Sequence, residues 1–152
     1  MSYLFVALSY LIGSINFAYL VAKYKKLDIS SSGSGNPGTS NVMRTIGKKY
    51  AAIVLIGDVF KGFIPIFLFD ENLLLCGFAA VIGHIYPIFY KFKGGKGVAT
   101  YIGVYIAFST LNPISYDLFE NSYFLFLNIP VLAIFYFVVF KISRISAIAS
   151  LL

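Results

Sequence analysis

Two stretches of the 152-residue chain gather glycine and hydrogen-bonding side chains within an otherwise apolar sequence: SGSGNPGTSNVMRTIGKK at 32–49 and KFKGGKGVAT at 91–100. Glycine admits positive φ and close backbone approach, so successive N–H groups can aim into one concavity, an arrangement that suits an anion. In the first stretch Gly33, Gly35 and Gly38 give that freedom, while Ser34, Asn36, Thr39, Ser40 and Asn41 add neutral donors. Arg44 adds a planar fork for a phosphate or carboxylate. In the second stretch Gly94, Gly95 and Gly97 surround Lys96 directly before an apolar run, where a helix N-terminus would favour a phosphate. Neither is a nucleotide P-loop of the GxxxxGK[ST] kind. Tyr90 stands where its first glycine belongs, and Gly97 follows Lys96 in place of Ser or Thr. Taken singly, each stretch also reads as a flexible turn whose lysines serve topology and anionic headgroups. Two such stretches on one face, each leading into a helix, favour paired anion sites.

Three further residues stand inside apolar runs. Asp58 and Lys61, in GDVFKG, are spaced to share a helix face and pair. An ionised side chain at bilayer centre costs about 2.5–3.5 kcal/mol on insertion scales, so both should face protein or water. They read either as a self-neutralising structural pair or as a lysine leaning toward an anionic substrate with an aspartate orienting it. His84, the single histidine, is either a hydrogen-bonded core residue or a base. No second histidine or cysteine accompanies it, so no metal site is expected, and Ser34 has no activating partner nearby in sequence. Cys76, the only cysteine, lies in an apolar run, which excludes an intramolecular disulfide and suits a small buried hydrophobe.

The elements that carry these residues follow from composition. Hydrophobic residues make up 59% and charged residues 12%, far from the soluble balance of roughly 45–50% and about 25%. Apolar runs at 3–22, 51–69, 73–90, 98–114 and 123–140 each approach the ~20 residues a helix needs to cross hydrocarbon. The fold expected is an all-α polytopic integral membrane bundle, one domain over 1–152, with five spans and the start of a sixth at 145–152. The first run lacks a preceding Lys or Arg and a small-residue cleavage site, so it is expected to remain as a helix. A net charge of +6 suggests nucleic acid in a soluble protein, but here its distribution points to topology. Lys23, Lys25, Lys26, Arg44, Lys48 and Lys49 fall in one connection, Lys91, Lys93 and Lys96 in another, and Lys141 and Arg144 after the fifth run. The intervening connections hold only Asp70 with Glu71, and Asp117 with Glu120. The positive-inside rule then places both glycine-rich stretches in the cytoplasm and the N-terminus outside. Tyr3, Tyr24, Tyr50, Tyr90 and Tyr123, near run ends, fit interfacial belts.

GSGNPGTSNVMR, DVFKG and GHIYPIFYKFKGGKGVAT, in this order and on this topology, resemble the bacterial acyl-phosphate:glycerol-3-phosphate acyltransferases. YLIGSINFAYLVAK and SRISAIAS extend the likeness over nearly the whole chain. The resemblance implies transfer of a fatty acyl group from acyl phosphate to the 1-hydroxyl of glycerol 3-phosphate, giving lysophosphatidic acid and phosphate, with no cofactor or metal. It implies a multi-pass protein of the bacterial inner membrane with its site facing the cytoplasm, and contact with the enzyme that makes acyl phosphate. By position, Ser34 and Arg44 match the essential pair of the family's first motif, and Gly94, Gly95, Lys96 and Gly97 its glycerol-phosphate loop. Asp58, Lys61, His84, Lys93 and Thr100 match further family positions. His84 or an acyl-phosphate oxygen would serve as base. Together with Gly33, Gly35, Asn36, Gly38 and Asn41 these residues form the expected phosphate-binding set. Thr39-Ser40 stands where the family usually has Ala-Thr, and the sequence stops at Leu152 before the family's third cytoplasmic motif, as a fragment or a shortened member would. Two readings stand beside the enzyme: a phosphate-solute transporter, which would line a full path with polar residues, and a non-catalytic truncated member acting in membrane assembly.

Overall fold

The computed structural model describes residues 2–111, and among them the secondary structure is helical. The order is α1 (Ser2–Gly13), α2 (Phe17–Tyr24), α3 (Thr39–Thr45), α4 (Lys48–Leu68), α5 (Leu73–Ile85), a 3₁₀ turn (Ile88–Tyr90) and α6 (Val98–Leu111). The chain divides into two compact units, Met1–Ala107 and Phe108–Leu152. The first holds every candidate site residue. The run at 123–140, the segment 145–152 and the charges at 117, 120, 141 and 144 lie outside the described residues.

Three helical stretches, Tyr3–Tyr24, Lys48–Leu68 and Leu73–Tyr90, are long and apolar enough to cross a membrane. At ~1.5 Å per residue, the 21 residues of α4 reach about 31 Å, the thickness of the hydrocarbon core. Phe67, Leu74 and Phe78 each leave more than 60% of their surface uncovered, as lipid-facing side chains do.

The first span departs from the single helix its apolar run suggests. Ser14 turns its hydroxyl back onto the Tyr10 carbonyl at 2.8 Å, a bond that competes with the helical ladder. The chain becomes extended at Asn16 (φ −106°, ψ 105°), whose side chain caps α2 by accepting from the Tyr19 amide at 3.2 Å. The third run ends as a helix at Ile85, because Pro87 disfavours the helical region for Tyr86, found at φ −122°, ψ 65°.

Small residues set how closely the helices approach. A methyl on Gly13 would collide with the Ala80 backbone, and one on Gly83 with the Tyr10 carbonyl. Cys76 and Ala80 are fully buried on that same face of α5. Gly62 and Gly103 play the equivalent part between α4 and α6, against Thr100 and Val59 carbonyls. Membrane helices pack this way because lipid supplies no hydrophobic drive and contact must come from close fit. A separate core of Ala18, Val21, Ala22, Ile29, Val42, Ala51 and Val54 joins α2, α3 and the start of α4, and carries the first glycine-rich loop. At its edge Lys25 lies over the Tyr50 ring at 4.3 Å, and Tyr19 stacks on Tyr90 at 4.5 Å. Tyr3 and Tyr24 are open as belt residues would be, whereas Tyr50 and Tyr90 are engaged in these internal contacts.

Candidate active site

The first glycine-rich loop is folded around one buried amide. Asn41 accepts from the Ser34 N–H at 2.9 Å and donates to the carbonyls of Ser32 at 2.9 Å and Ile29 at 3.3 Å. Gly33 (φ +61°) makes this possible, because a methyl there would strike the Asn41 Oδ1 atom. Gly35 (φ +71°) closes the adjoining turn with its N–H on the Ser32 carbonyl at 3.0 Å. Gly38 precedes α3 as its N-cap, and Asn36 accepts the Gly38 N–H at 2.9 Å through its carbonyl. The entrance to the loop is fixed by Asp28, whose Oδ1 accepts from the Ser30 hydroxyl at 2.6 Å and the Ser30 amide at 2.9 Å. The Ser30 hydroxyl first, then its N–H, hold this carboxyl below the usual carboxylate range. Beyond it, the Tyr50 hydroxyl keeps the Lys25 ammonium above its ordinary range.

The second loop lies across the C-terminal end of α5. The Gly94 N–H donates to the Ile85 carbonyl and the Gly95 N–H to the His84 carbonyl, both at 3.2 Å. These two amides are therefore spent on protein, and the nest expected at 94–97 shifts onward. The N–H groups of residues 96–100 have no protein acceptor among the described residues, at the start of α6 where a helix N-terminus favours an anion. Gly97 has the left-handed conformation (φ +79°) that such a turn requires. Gly94 and Gly95 are needed for proximity instead. A methyl on Gly94 would enter the His84 and Ile85 carbonyls, and one on Gly95 would strike His84 Nε2 and lie 3.1 Å from the Pro37 carbonyl. The two loops thus meet at Gly95 and Pro37.

Beneath this meeting point lies a buried polar cluster. Lys61 Nζ sits 2.9 Å from Asp58 Oδ1 and donates to the Ile15 carbonyl, at the break between α1 and α2, at 2.6 Å. Asp58 Oδ1 also lies 3.5 Å from His84 Nδ1, a long contact rather than a formed hydrogen bond. Asn16, next to Ile15, donates to the Pro37 carbonyl at 3.4 Å. Asp58, Lys61 and His84 are each at most 3% exposed.

Of the residues expected to meet substrate, Ser34, Arg44, Lys93 and Lys96 are exposed. Thr100 is fully buried in the first turn of α6, its hydroxyl without a hydrogen-bond partner among the described residues. The Asn41 side chain spends its three hydrogen bonds on the loop itself. Lys61 engages Asp58 and the Ile15 carbonyl rather than leaning outward. Sequence reasoning passed over Asn16 and Pro37. The tetrapeptide GSIN at 13–16, a helix-weakening stretch inside an apolar run, was the available signal.

A family model described as glycerol-3-phosphate acyltransferase matches residues 3–152. The chain is 47% identical over 111 residues to the glycerol-3-phosphate acyltransferase of Aquifex aeolicus, covering 68% of this chain and 58% of the relative. With that of Methylobacillus flagellatus it shares 50% over 115 residues, covering 70% and 58%. Two crystal structures of PlsY, described as an integral membrane glycerol 3-phosphate acyltransferase, share its fold. The glycerol 3-phosphate form aligns with a TM-score of 0.66 at 41% identity, over 86% of this chain and 66% of that one. The lysophosphatidic acid form gives 0.64 at 43%, over 74% and 59%. The chain thus spans 58% of the length of these curated relatives. With the family model matching nearly its whole length, the chain belongs to the glycerol-3-phosphate acyltransferase family.

Proposed function

We propose that this protein transfers a fatty acyl group from acyl phosphate to the 1-hydroxyl of glycerol 3-phosphate, releasing lysophosphatidic acid and phosphate. The observation that carries the reading is the meeting of the two glycine-rich loops at Gly95 and Pro37 in a member of this family. Both substrates are phosphates, so two anion sites must lie side by side. Arg44, Lys96, Lys93 and the N–H groups that open α6 supply the cationic and donor groups, with Thr100 behind them. Ser34, at the rim of the first loop, stabilises the oxyanion that develops on the acyl carbonyl. The glycerol oxygen bonds to the acyl carbon as the bond to the phosphate oxygen breaks. The hydroxyl proton passes to a phosphate oxygen, since His84 is enclosed between Asp58 and Gly95. Phosphate leaves readily, so most of the acceleration comes from holding the reactants together, a contribution of several kcal/mol.

The loops face the cytoplasm of a bacterial plasma membrane and the N-terminus lies outside, by the distribution of Lys and Arg. By the apolar runs of the sequence this topology would comprise five spans and the start of a sixth, and the enzyme that supplies acyl phosphate would dock at the same face. The break in the first span is a feature transporters share. Here, however, its polar groups close on Lys61 and Pro37 instead of lining a path.

The test is the 152-residue chain, purified in detergent, given acyl phosphate and glycerol 3-phosphate and followed for lysophosphatidic acid and phosphate. Lys96→Ala should mainly raise KM for glycerol 3-phosphate and Ser34→Ala mainly lower kcat. A folded protein that forms no product is a non-catalytic member of the family. Labelled acyl chain trapped on Ser34 would replace direct transfer by an acyl-serine route.

A further inference from the structure

The transfer chemistry leaves a buried cluster unused, Lys61 and His84 on either side of the Asp58 carboxylate. On one side Lys61 bridges it to the Ile15 carbonyl, next to Asn16, whose amide holds the Pro37 carbonyl of the first loop. On the other side stands His84, whose Nδ1 faces the carboxylate, whose Nε2 packs on Gly95, and whose own carbonyl accepts the Gly95 N–H. Gly95 and Pro37 are the two points at which the glycine-rich loops touch. One carboxylate therefore stands between both ends of that contact.

We infer that Asp58 is a positioning residue that sets the spacing between the two phosphate-binding loops, acting on the first through Lys61 and on the second through His84. This rests on the acyl-transfer reading and adds to it a residue that touches neither substrate. Each loop keeps its own donors when Asp58 is altered, so each phosphate still binds. What changes is the distance between them, on which the attack geometry depends. A shift of about 1 Å is enough to cost on the order of 100-fold in rate.

The experiment uses the full chain in nanodiscs with Asp58→Asn, which keeps the shape and removes the charge. The expected result is a kcat at least 30-fold lower with the KM for each substrate within threefold. Because the variant leaves Lys61 unpaired, the double variant Asp58→Asn/Lys61→Met is measured beside it, with the same split expected. Spin labels on Ser31→Cys and Lys91→Cys, one on each connection and outside the site, should show a broadened or displaced distance distribution in the Asp58→Asn background. Wild-type kcat in a folded variant, a loss confined to KM, or an unchanged label distance would overturn the inference. Failure of both variants to fold assigns the cluster to folding alone and overturns it equally. If the unaltered chain is inactive, the acyl-transfer reading fails, while the label distance still decides whether Asp58 sets loop spacing.

Discussion

Asn41→Ala tests how the first loop holds its shape. The substitution deletes one acceptor and two donors at once: the contacts to Ser34 N–H, Ser32 carbonyl and Ile29 carbonyl. Ser34 is exposed and Ser32 half-buried, so their backbone groups find water and each loss costs about 1 kcal/mol. Ile29 is 1% exposed and its carbonyl is left without that donor, which costs roughly 1–3 kcal/mol. About 3–5 kcal/mol is then removed from the closed loop, and at about 1.4 kcal/mol per tenfold its open population rises by a factor on the order of 100 to 1,000. Amide exchange at residues 32–35 should accelerate by a comparable factor, and kcat/KM should fall with it. Gly33→Ala attacks the same contact from the other side, since its methyl strikes Asn41 Oδ1 and its φ of +61° is unfavourable to alanine. In the Asn41→Ala background the collision is gone and only the backbone strain remains, so the two substitutions should be less than additive by about 1 kcal/mol or more. Strict additivity, or unchanged exchange in Asn41→Ala, would refute the assignment of Asn41 as the strut of the loop.

Gly94→Ala places a methyl into two backbone carbonyls and 2.5 Å from Pro87 Cδ, where nothing can yield. Overpacking of this kind costs about 1–3 kcal/mol, so KM for glycerol 3-phosphate should rise 10-fold or more. Gly47→Ala has open space around it but φ at +120°, and should lower the melting midpoint while leaving that KM unchanged. Equal KM effects would contradict the close-approach account of Gly94. The Asp28 carboxyl is held below its ordinary range, so its contribution to stability is present above that range and is lost as pH falls through the folded value. Ser30→Ala should therefore destabilise the loop at neutral pH, with the difference from wild type vanishing in acid; a difference independent of pH would discount the Ser30 hydroxyl.

What the sequence revealed and what it concealed divide along a physical line. Hydrophobic runs reported α4 to within a few residues, because burial in lipid is a property of the run itself. Glycines at 33, 35 and 97 reported positive φ, because few other residues adopt it. Gly94 and Gly95 pointed to the same place for a different reason, close approach of backbone to backbone, which sequence does not distinguish from turning freedom. Asn41 resembled a substrate donor because an amide facing inward is spelled like one facing outward. Asp58 and His84 lie 26 positions apart on α4 and α5, and no local pattern links them. The pairing of Asp58 with Lys61 was legible, since a helix repeats every ~3.6 residues and brings i and i+3 together.

Lys61 is best understood together with the break it fills. An unwound turn within the hydrocarbon exposes carbonyls that lipid cannot satisfy, at several kcal/mol for each unmet group. A lysine alone at that depth is costly in its turn, by about 2.5–3.5 kcal/mol on insertion scales. Placed together they answer one another: the ammonium meets the Ile15 carbonyl, and Asp58 balances the charge. The break is then sustainable, and it is the break that frees Asn16 from the helical ladder to cap α2 and to reach the Pro37 carbonyl. A continuous first helix would dispense with the lysine and its counter-ion, but would leave Pro37, and with it the first loop, without that anchor beside Gly95. The buried ion pair is thus explained by the position of a loop rather than by stability, which such pairs seldom improve over apolar residues of similar volume.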